Sequence, residues 1–136
     1  LHMRNALADE GIMIASFLGA GSLPHLRRAM LAAEPDRPAA RMHPLVDNQA
    51  ASALLQRALF KRQVVDGRSL TVSFAALDRL VSDLRDQALT SSLANAAPPL
   101  SKAARLRAAE AFSATANDKG RTLESFEILT LTGWKD

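Results

Sequence analysis

The chain has 136 residues, of which 48% are hydrophobic and 4% aromatic, and it contains no cysteine. This composition supports a packed core, argues against extended disorder, and excludes disulfides, thiolate nucleophiles and zinc knuckles. The net charge is only +3, and acidic residues are mixed with the arginines, so the charge pattern and the few aromatic rings disfavour a nucleic-acid surface.

The N-terminal part is predicted to contain the end of a helix at Arg4–Glu10, a strand at Gly11–Phe17 and a helix beginning near Ser22. The strand, GIMIASF, is apolar without alternation, which predicts that both its faces are buried, as in the middle of a parallel sheet. Ser22 is a typical N-cap, and Pro24 suits the first turn of the helix. Because such a strand expects neighbours on both edges, we expect the chain to be the second half of a larger α/β fold.

The middle of the chain is predicted to form a connection, a helix and a second strand. The prolines between Glu34 and Pro44 indicate an irregular connection. A helix is predicted from Asp47 to Leu59, with Asp47 as its cap. Lys61–Phe74 has strand character, and the Asp66-Gly67 pair within it is compatible with either a tight hairpin turn or a bulge.

The C-terminal part is predicted to contain two helices and a last strand. The helices are predicted at Ala75–Leu93 and Lys102–Ala116, the second capped by Ser101 and with Leu106 on its apolar side, and the strand at Leu123–Gly133. The order is therefore strand, helix, helix, strand, helix, helix, strand. This order predicts an α/β fold in which helices pack on a short sheet, over residues 1–136 as one domain or part of a domain.

No catalytic or metal-binding motif is complete in the sequence. Gly19-Ala20-Gly21 follows a strand and precedes a helix, but Pro24 stands where the dinucleotide-binding fingerprint needs a third glycine. We therefore interpret this loop as a turn by which the chain leaves the sheet, at a strand end where α/β folds bind ligands. The histidines lack metal-ligand spacing, and no G-x-S-x-G motif is present. The carboxylates near Arg79 and Arg85 are interpreted as members of solvated ion pairs, and they are Asp78, Asp83 and Asp86.

Several segments in collinear order nevertheless resemble one family. They are RNAL, DEG, IMIASFLG and GSLPHLRRAM, then LLQRALF and VVDGRSLTVSF, then LDRLVSDLRDQALTSSL, and finally FEILTLTGWK. Together they resemble the C-terminal half of class I S-adenosylmethionine-dependent methyltransferases, and they cover nearly the whole chain. The most similar branch contains the malonyl-carrier-protein methyltransferase of biotin synthesis and the complex I assembly-factor relatives.

The resemblance implies a Rossmann-like sheet and a location for the substrate. Gly11–Phe17 would be the fifth strand, the sixth would lie within Lys61–Phe74, and Leu123–Gly133 would be an antiparallel seventh strand inserted between them, with four to five helices. Residues 75–117 would form a helical insertion that covers the substrate site, and Leu18–Leu23 would lie at the rim of the active-site cleft. The implied substrate-binding residues are Arg85, Leu18 and Ser22.

The implied function is transfer of a methyl group from S-adenosylmethionine to a small carboxylate, a carrier-bound acid or a protein-linked acceptor. Catalysis in such enzymes is mostly positioning of donor and acceptor, so no catalytic side chain is assigned. One alternative is a non-catalytic interaction or assembly module that self-associates as a homodimer through an exposed strand; another is different chemistry, such as hydroxylation, on the same fold. We expect a cytoplasmic protein without nucleic-acid or membrane partners.

The chain also departs from the family pattern. The glycine-rich loop and the acidic residue that hold the cofactor in the family have no counterpart, so the chain alone is expected to be inactive. The family often has Gly-Ala where Ala88-Leu89 stand, and a proline where Lys135-Asp136 follow the terminal Gly-Trp. Leu1-His2 resembles the end of the family's fourth strand, so we expect residues to be missing before Met3.

Overall fold

The computed structural model describes residues 1–36, 41–90, 93–95 and 97–136. The described residues form five helices and three strands, and the chain is an α/β protein as predicted. In chain order the elements are α1 (His2–Ala6), β1 (Ile12–Leu18), α2 (Pro24–Ala33), α3 (Asn48–Arg57), β2 (Lys61–Phe74), α4 (Leu77–Asp86), α5 (Lys102–Ser113) and β3 (Thr122–Trp134).

The last strand lies in the middle of the sheet, whose order is β1-β3-β2. β1 and β3 are antiparallel, with a register that runs from Ile12 opposite Trp134 to Leu18 opposite Ile128. β2 is antiparallel to β3 as well, because Arg62 lies over the Trp134 ring while Ser69, further along β2, bonds to Glu127, which is earlier in β3. The prediction of an antiparallel last strand between the other two is confirmed.

The chain divides into two compact units. The first unit comprises Leu1–Ser22, Leu45–Leu70 and Phe126–Asp136. The second unit comprises Leu23–Pro44 and Thr71–Ser125.

The core of the first unit lies between α3 and one face of the sheet. Asp47 caps α3 as predicted, because its Oδ1 accepts a hydrogen bond of 2.8 Å from the backbone N–H of Ala50. The buried core residues are Ala51, Leu55, Phe60, Leu129 and Leu131. Phe60 packs so closely on Gly133 that a Cβ there would lie 2.8 Å from the Phe60 Cβ, which explains the glycine in a central strand.

The prediction that both faces of the first strand are buried is wrong. Met13 and Phe17 pack against the core of the first unit, whereas Ile12 and Ile14 are 45% and 66% exposed and Ser16 is exposed too. Successive side chains of β1 therefore alternate between a covered and an exposed face of the sheet, although nearly all of them are apolar. The physical reason is that α3 covers one face only, and β1 is an edge strand with a single antiparallel neighbour among the described residues.

The second unit is built on contacts of α5 with α2 and α4. Small buried side chains, Ala29 and Ala33 on α2 and Ala104 and Ala108 on α5, allow the two helices to approach each other. The N-cap of α2 is Leu23, in a left-handed conformation and without a side-chain cap. The prediction that Ser22 caps this helix is therefore wrong.

The helices of the C-terminal part are shorter than predicted. α4 ends at Asp86 instead of Leu93, because the chain turns through Ala88 with a φ of 55°, and the backbone N–H of Leu89 bonds to the Leu84 carbonyl at 2.8 Å. Part of the predicted range, residues 91 and 92, lies outside the described residues. In α5, Ser101 caps the helix as predicted.

Three smaller expectations are also corrected. The buried side of α5 is formed by Ala104, Ala108 and Phe112, while Leu106 is exposed. The hairpin alternative for Asp66-Gly67 is wrong, because β2 continues through this pair as one strand. α1 ends at Ala6, earlier than the predicted Glu10. None of the helices in the described ranges combines the length and hydropathy that crossing a membrane requires.

Candidate functional site

A cleft of about 390 Å³ opens in the first unit beyond the C-terminal end of β1. Its volume falls within the range of small-molecule sites, about 300–1,000 Å³. The residues that line it are Ala20, Asp47, Asn48, Gln49, Gly67, Glu127 and Leu129.

The loop after β1 is fixed to the neighbouring segments by its own backbone. The N–H of Gly19 donates to the Glu127 carbonyl at 2.6 Å, and that of Ala20 donates to the Val46 carbonyl at 2.7 Å. A Cβ on Gly19 would lie 2.7 Å from the Cγ of Leu129, so close packing explains this glycine. The loop is the turn that the sequence predicted, and these amides already have partners within the protein.

Ser22 joins the end of this loop to β3. Its side chain is buried, and its Oγ donates to the Glu127 carbonyl at 3.1 Å while accepting from the Glu127 N–H at 2.8 Å. The hydroxyl thereby replaces one pair of sheet hydrogen bonds where β1 has ended. Sequence reasoning assigned Ser22 to a helix cap and to substrate binding, and it missed this partner 105 positions away.

The carboxylates of Asp47 and Glu127 line the cleft, and one oxygen of each accepts a hydrogen bond from the protein. Glu127 Oε2 accepts from the hydroxyl of Ser69 at 2.6 Å, and Asp47 Oδ1 accepts from the Ala50 N–H at 2.8 Å. The other oxygen of each carboxylate accepts no hydrogen bond from a described residue. No local signal in the sequence pairs Glu127 with Asp47.

The predicted substrate-binding residues fall into both units. Leu18 lies at the end of β1 opposite Ile128, and Ser22 bonds to the adjacent Glu127, so the structure brings these two residues to one segment of β3. Arg85 is exposed in the last turn of α4, in the second unit, and makes no ion pair with a described residue. Their role in substrate binding stays a prediction.

One of the solvated ion pairs predicted on α4 is present, between Arg79 and Asp83. Arg79 Nη2 lies 3.0 Å from Asp83 Oδ1, four residues further along the helix. Both groups are partly or largely exposed, and such pairs contribute less than about 1 kcal/mol to stability. This pair belongs to the helix surface and carries no chemistry.

One buried carboxylate, Glu124, has a structural function in the second unit. It is fully buried and accepts hydrogen bonds from the backbone N–H groups of Leu26 at 2.8 Å, His25 at 3.3 Å and Ser125 at 3.1 Å. His25 and Leu26 lie in the first turn of α2, whose N-cap residue supplies no side chain. Glu124 therefore caps α2 from a strand that is distant in sequence.

The described residues offer neither a metal-binding cluster nor, in the loop after β1, free backbone amides at Gly19 and Ala20. No group of three or more histidine, cysteine or acidic side chains in these ranges could hold a metal ion. The resemblance assigns the cofactor to a glycine-rich loop, but the amides of Gly19 and Ala20 in the loop after β1 are already bonded. A comparison with models of known protein families and with curated proteins finds no match to the chain.

Proposed function

We propose that the chain is the C-terminal part of a class I methyltransferase domain with a Rossmann-like sheet. The domain would transfer a methyl group from S-adenosylmethionine to a small carboxylate, carrier-bound or protein-linked acceptor. The observation that carries this proposal is the strand order β1-β3-β2 with β3 antiparallel between the other two. This is the order that the resemblance implies for strands five, seven and six.

The order is informative because simpler arrangements are commoner. Strands that follow one another in sequence are neighbours in a sheet about two-thirds of the time. Here β2 does not pair with β1. Instead β3, the last strand in the sequence, lies between them and pairs with both. A plain meander would have produced the order β1-β2-β3, so the observed order supports the resemblance over an unrelated small α/β protein.

The backbone at Ala88 supports the alignment with the family. Ala88 has a φ of 55°, the left-handed conformation that glycine adopts without strain. The family often has glycine at this position. This chain therefore has alanine where the family often has glycine, but it keeps the left-handed backbone turn that a glycine would adopt.

The proposal gives each part of the chain a role. Residues 75–117 cover the substrate, while Leu18, Ser22 and Arg85 contact it. The contribution of these residues is to bind and orient the acceptor, which is the main source of rate in a transfer that needs no protein nucleophile. The cytoplasmic location expected from the absence of cysteine is part of the same proposal.

Calorimetric titration of S-adenosylmethionine into the whole protein that contains this chain tests the proposal. We expect a saturable heat of binding, and competition by S-adenosylhomocysteine. The 136-residue chain serves as the matched control, and we expect it to give no heat, since the family's glycine-rich loop and acidic residue have no counterpart in its sequence. Absence of heat from the whole protein at millimolar ligand would contradict the proposal.

A second function, self-association through β1, is favoured by the properties of this edge strand. Ile12–Leu18 contains no charged residue and no proline, which are the usual protections of an exposed edge. Two of its isoleucines are exposed, and no strand among the described residues pairs with its other edge. Light scattering on the chain separates a homodimer, which supports this function, from a monomer, which argues against it.

A further inference from the structure

We propose that two copies of the chain form a symmetric dimer in which β1 pairs antiparallel with β1 of the second copy, with the two-fold axis at Ala15. This inference rests on self-association, the second function proposed above, and adds the partner strand, its direction and its register. It involves neither S-adenosylmethionine nor methyl transfer, so it is tested apart from the cofactor titration.

The backbone of β1 presents a row of hydrogen-bonding groups to the open edge of the sheet. On the β3 side, Gly19 donates its N–H to the Glu127 carbonyl at 2.6 Å, and the Gly11 carbonyl accepts from the Lys135 N–H at 2.8 Å. Backbone groups of successive residues alternate in direction, so the odd-numbered residues of β1 face β3 and the even-numbered residues face away from it. No strand within the described ranges pairs with the residues that face away, which are Ile12, Ile14, Ser16 and Leu18.

The chain itself limits this open edge at both ends. Ala20 also faces away from β3, but its N–H already donates to the Val46 carbonyl at 2.7 Å. At the other end, Glu10 has a φ of 62°, a left-handed conformation that interrupts the extended backbone. A partner strand can therefore pair with the stretch Ile12–Leu18 and no further.

Only one symmetric register uses every outward-facing group of this stretch. It places Ile12 opposite Leu18, and Ile14 opposite Ser16, of the second copy, and each such pair exchanges two backbone hydrogen bonds. The two-fold axis then passes through the position of Ala15. Moving the axis to Ile14 would leave Leu18 without a partner, and moving it to Ser16 would leave Ile12 without one.

The side chains fit this register because the sequence GIMIASFLG is nearly symmetric about Ala15 in size. Gly11 lies opposite Gly19, Met13 opposite Phe17, and the small Ala15 opposite its own copy. Met13 and Phe17 pack against the core of the first unit, so their pairing joins the two cores on the α3 side of one continuous sheet and adds a sulfur–aromatic contact. A two-fold contact requires this self-complementarity, which favours a second copy over an unrelated strand.

The distribution of charge explains why β1, and not the other edge strand, is the contact. β2 forms the other edge of the described sheet and carries Lys61, Arg62, Asp66 and Arg68, and charged side chains oppose the addition of a strand. The stretch Gly11–Gly19 contains no charged residue. Pairing two copies of β1 therefore places no like charges opposite each other.

Cysteine cross-linking of the full chain tests the register, because the protein has no cysteine of its own. Ala15 and its copy form a non-hydrogen-bonded pair with Cα atoms about 4.5 Å apart, a separation that a disulfide bridges. A15C should therefore give a covalent dimer on mild oxidation. Ile14 and Ser16 are diagonal to their own copies, with Cα atoms more than about 7 Å apart. I14C and S16C should each stay monomeric on a non-reducing gel, whereas an equal mixture of the two should cross-link.

Hydrogen exchange of the unsubstituted chain provides a second measurement, which does not depend on how a cysteine variant folds. As the protein concentration rises, we expect slower exchange of the outward-facing amides, which are those of Ile12, Ile14, Ser16 and Leu18. The amide of Gly19 is the internal control, because it already donates to Glu127 and should exchange at the same rate at every concentration.

The inference is overturned if I14C or S16C alone cross-links in place of A15C, or if the outward-facing amides exchange at one rate at every concentration. The first result would move the axis and leave self-association standing. The second, with a monomer by light scattering, would remove self-association as well. Neither result changes the cofactor titration of the whole protein.

Discussion

The carboxylate of Glu124 accepts a hydrogen bond of 2.8 Å from the backbone N–H of Leu26, across 98 positions of sequence. This bond ties the beginning of β3 to the first turn of α2. At the other end of α2, Arg107 donates from Nε and Nη2 to the carbonyl of Ala33, at 3.1 and 2.6 Å. A negative group thus lies at the positive end of the helix dipole and a positive group at its negative end.

Replacing Glu124 with glutamine should lower the free energy of unfolding by about 1–2 kcal/mol, because the helix N-terminus loses a buried charge and part of its hydrogen bonding. Urea denaturation followed by circular dichroism measures the change. Glu110→Gln, an exposed position on α5, is the control and should have little effect. Equal stability of the two variants would show that Glu124 does not cap α2.

Replacing Arg107 with methionine should cost about 1–2 kcal/mol of stability, since two hydrogen bonds to the last carbonyl of α2 are lost while the aliphatic stem is largely kept. Arg105→Met on the same helix is the matched control, because Arg105 is exposed and makes no side-chain bond to a described residue. Urea denaturation followed by circular dichroism measures the stability of both variants. A larger loss for Arg105→Met than for Arg107→Met would contradict the assigned contact.

Replacing Ala88 with glycine should raise stability by about 0.5–1 kcal/mol, because its φ of 55° is strained for alanine and not for glycine. Ala53→Gly, at an exposed position inside α3, should instead lower stability by about 1 kcal/mol. Thermal unfolding of the two variants measures both changes in stability, which are expected to have opposite signs. Destabilisation by Ala88→Gly would mean that the left-handed turn at the end of α4 does not exist.

Replacing Ser22 with alanine should destabilise the chain by about 1–3 kcal/mol, since the backbone N–H of Glu127 loses its acceptor in a buried environment. Ser113→Ala, at the exposed end of α5, is the control. The stability of each variant is measured from the midpoint of its denaturant-induced unfolding. Unchanged stability of Ser22→Ala would leave substrate contact as the only role assigned to this hydroxyl.

Replacing Ile14 with lysine should convert a homodimer into a monomer, because a charge on an edge strand opposes strand addition. Ile14 is 66% exposed, so the substitution should not disturb the core. Size-exclusion chromatography with light scattering reports the change, and Leu54→Lys, at an exposed position of α3, is the control. Dissociation by Leu54→Lys and not by Ile14→Lys would place the interface elsewhere.

The sequence predicted those features that depend on local chemistry or on a collinear pattern. Asp47 and Ser101 were recognised as caps because a side-chain oxygen near the start of an apolar helix has a short-range partner. The position of β3 was predicted from the resemblance. The exposed face of β1 was missed because an apolar run does not reveal which of its faces has a covering layer.

Features that join distant positions could not be predicted from one sequence. The cap of α2 comes from Glu124, and the hydroxyl of Ser22 bonds to the backbone of β3. The cleft acquires its two carboxylates from Asp47 and Glu127, which lie on different elements. In each case the role of the residue depends on another residue that is distant in the sequence and close only in the folded structure.

The proposed function depends most directly on β3 lying between β1 and β2, and cross-strand nuclear Overhauser contacts between backbone protons measure this. We expect contacts from the Thr132 region of β3 both to Ile14 on β1 and to β2, and none between β1 and β2. Direct backbone contacts between β1 and β2 would contradict this order and remove the main support for the methyltransferase fold.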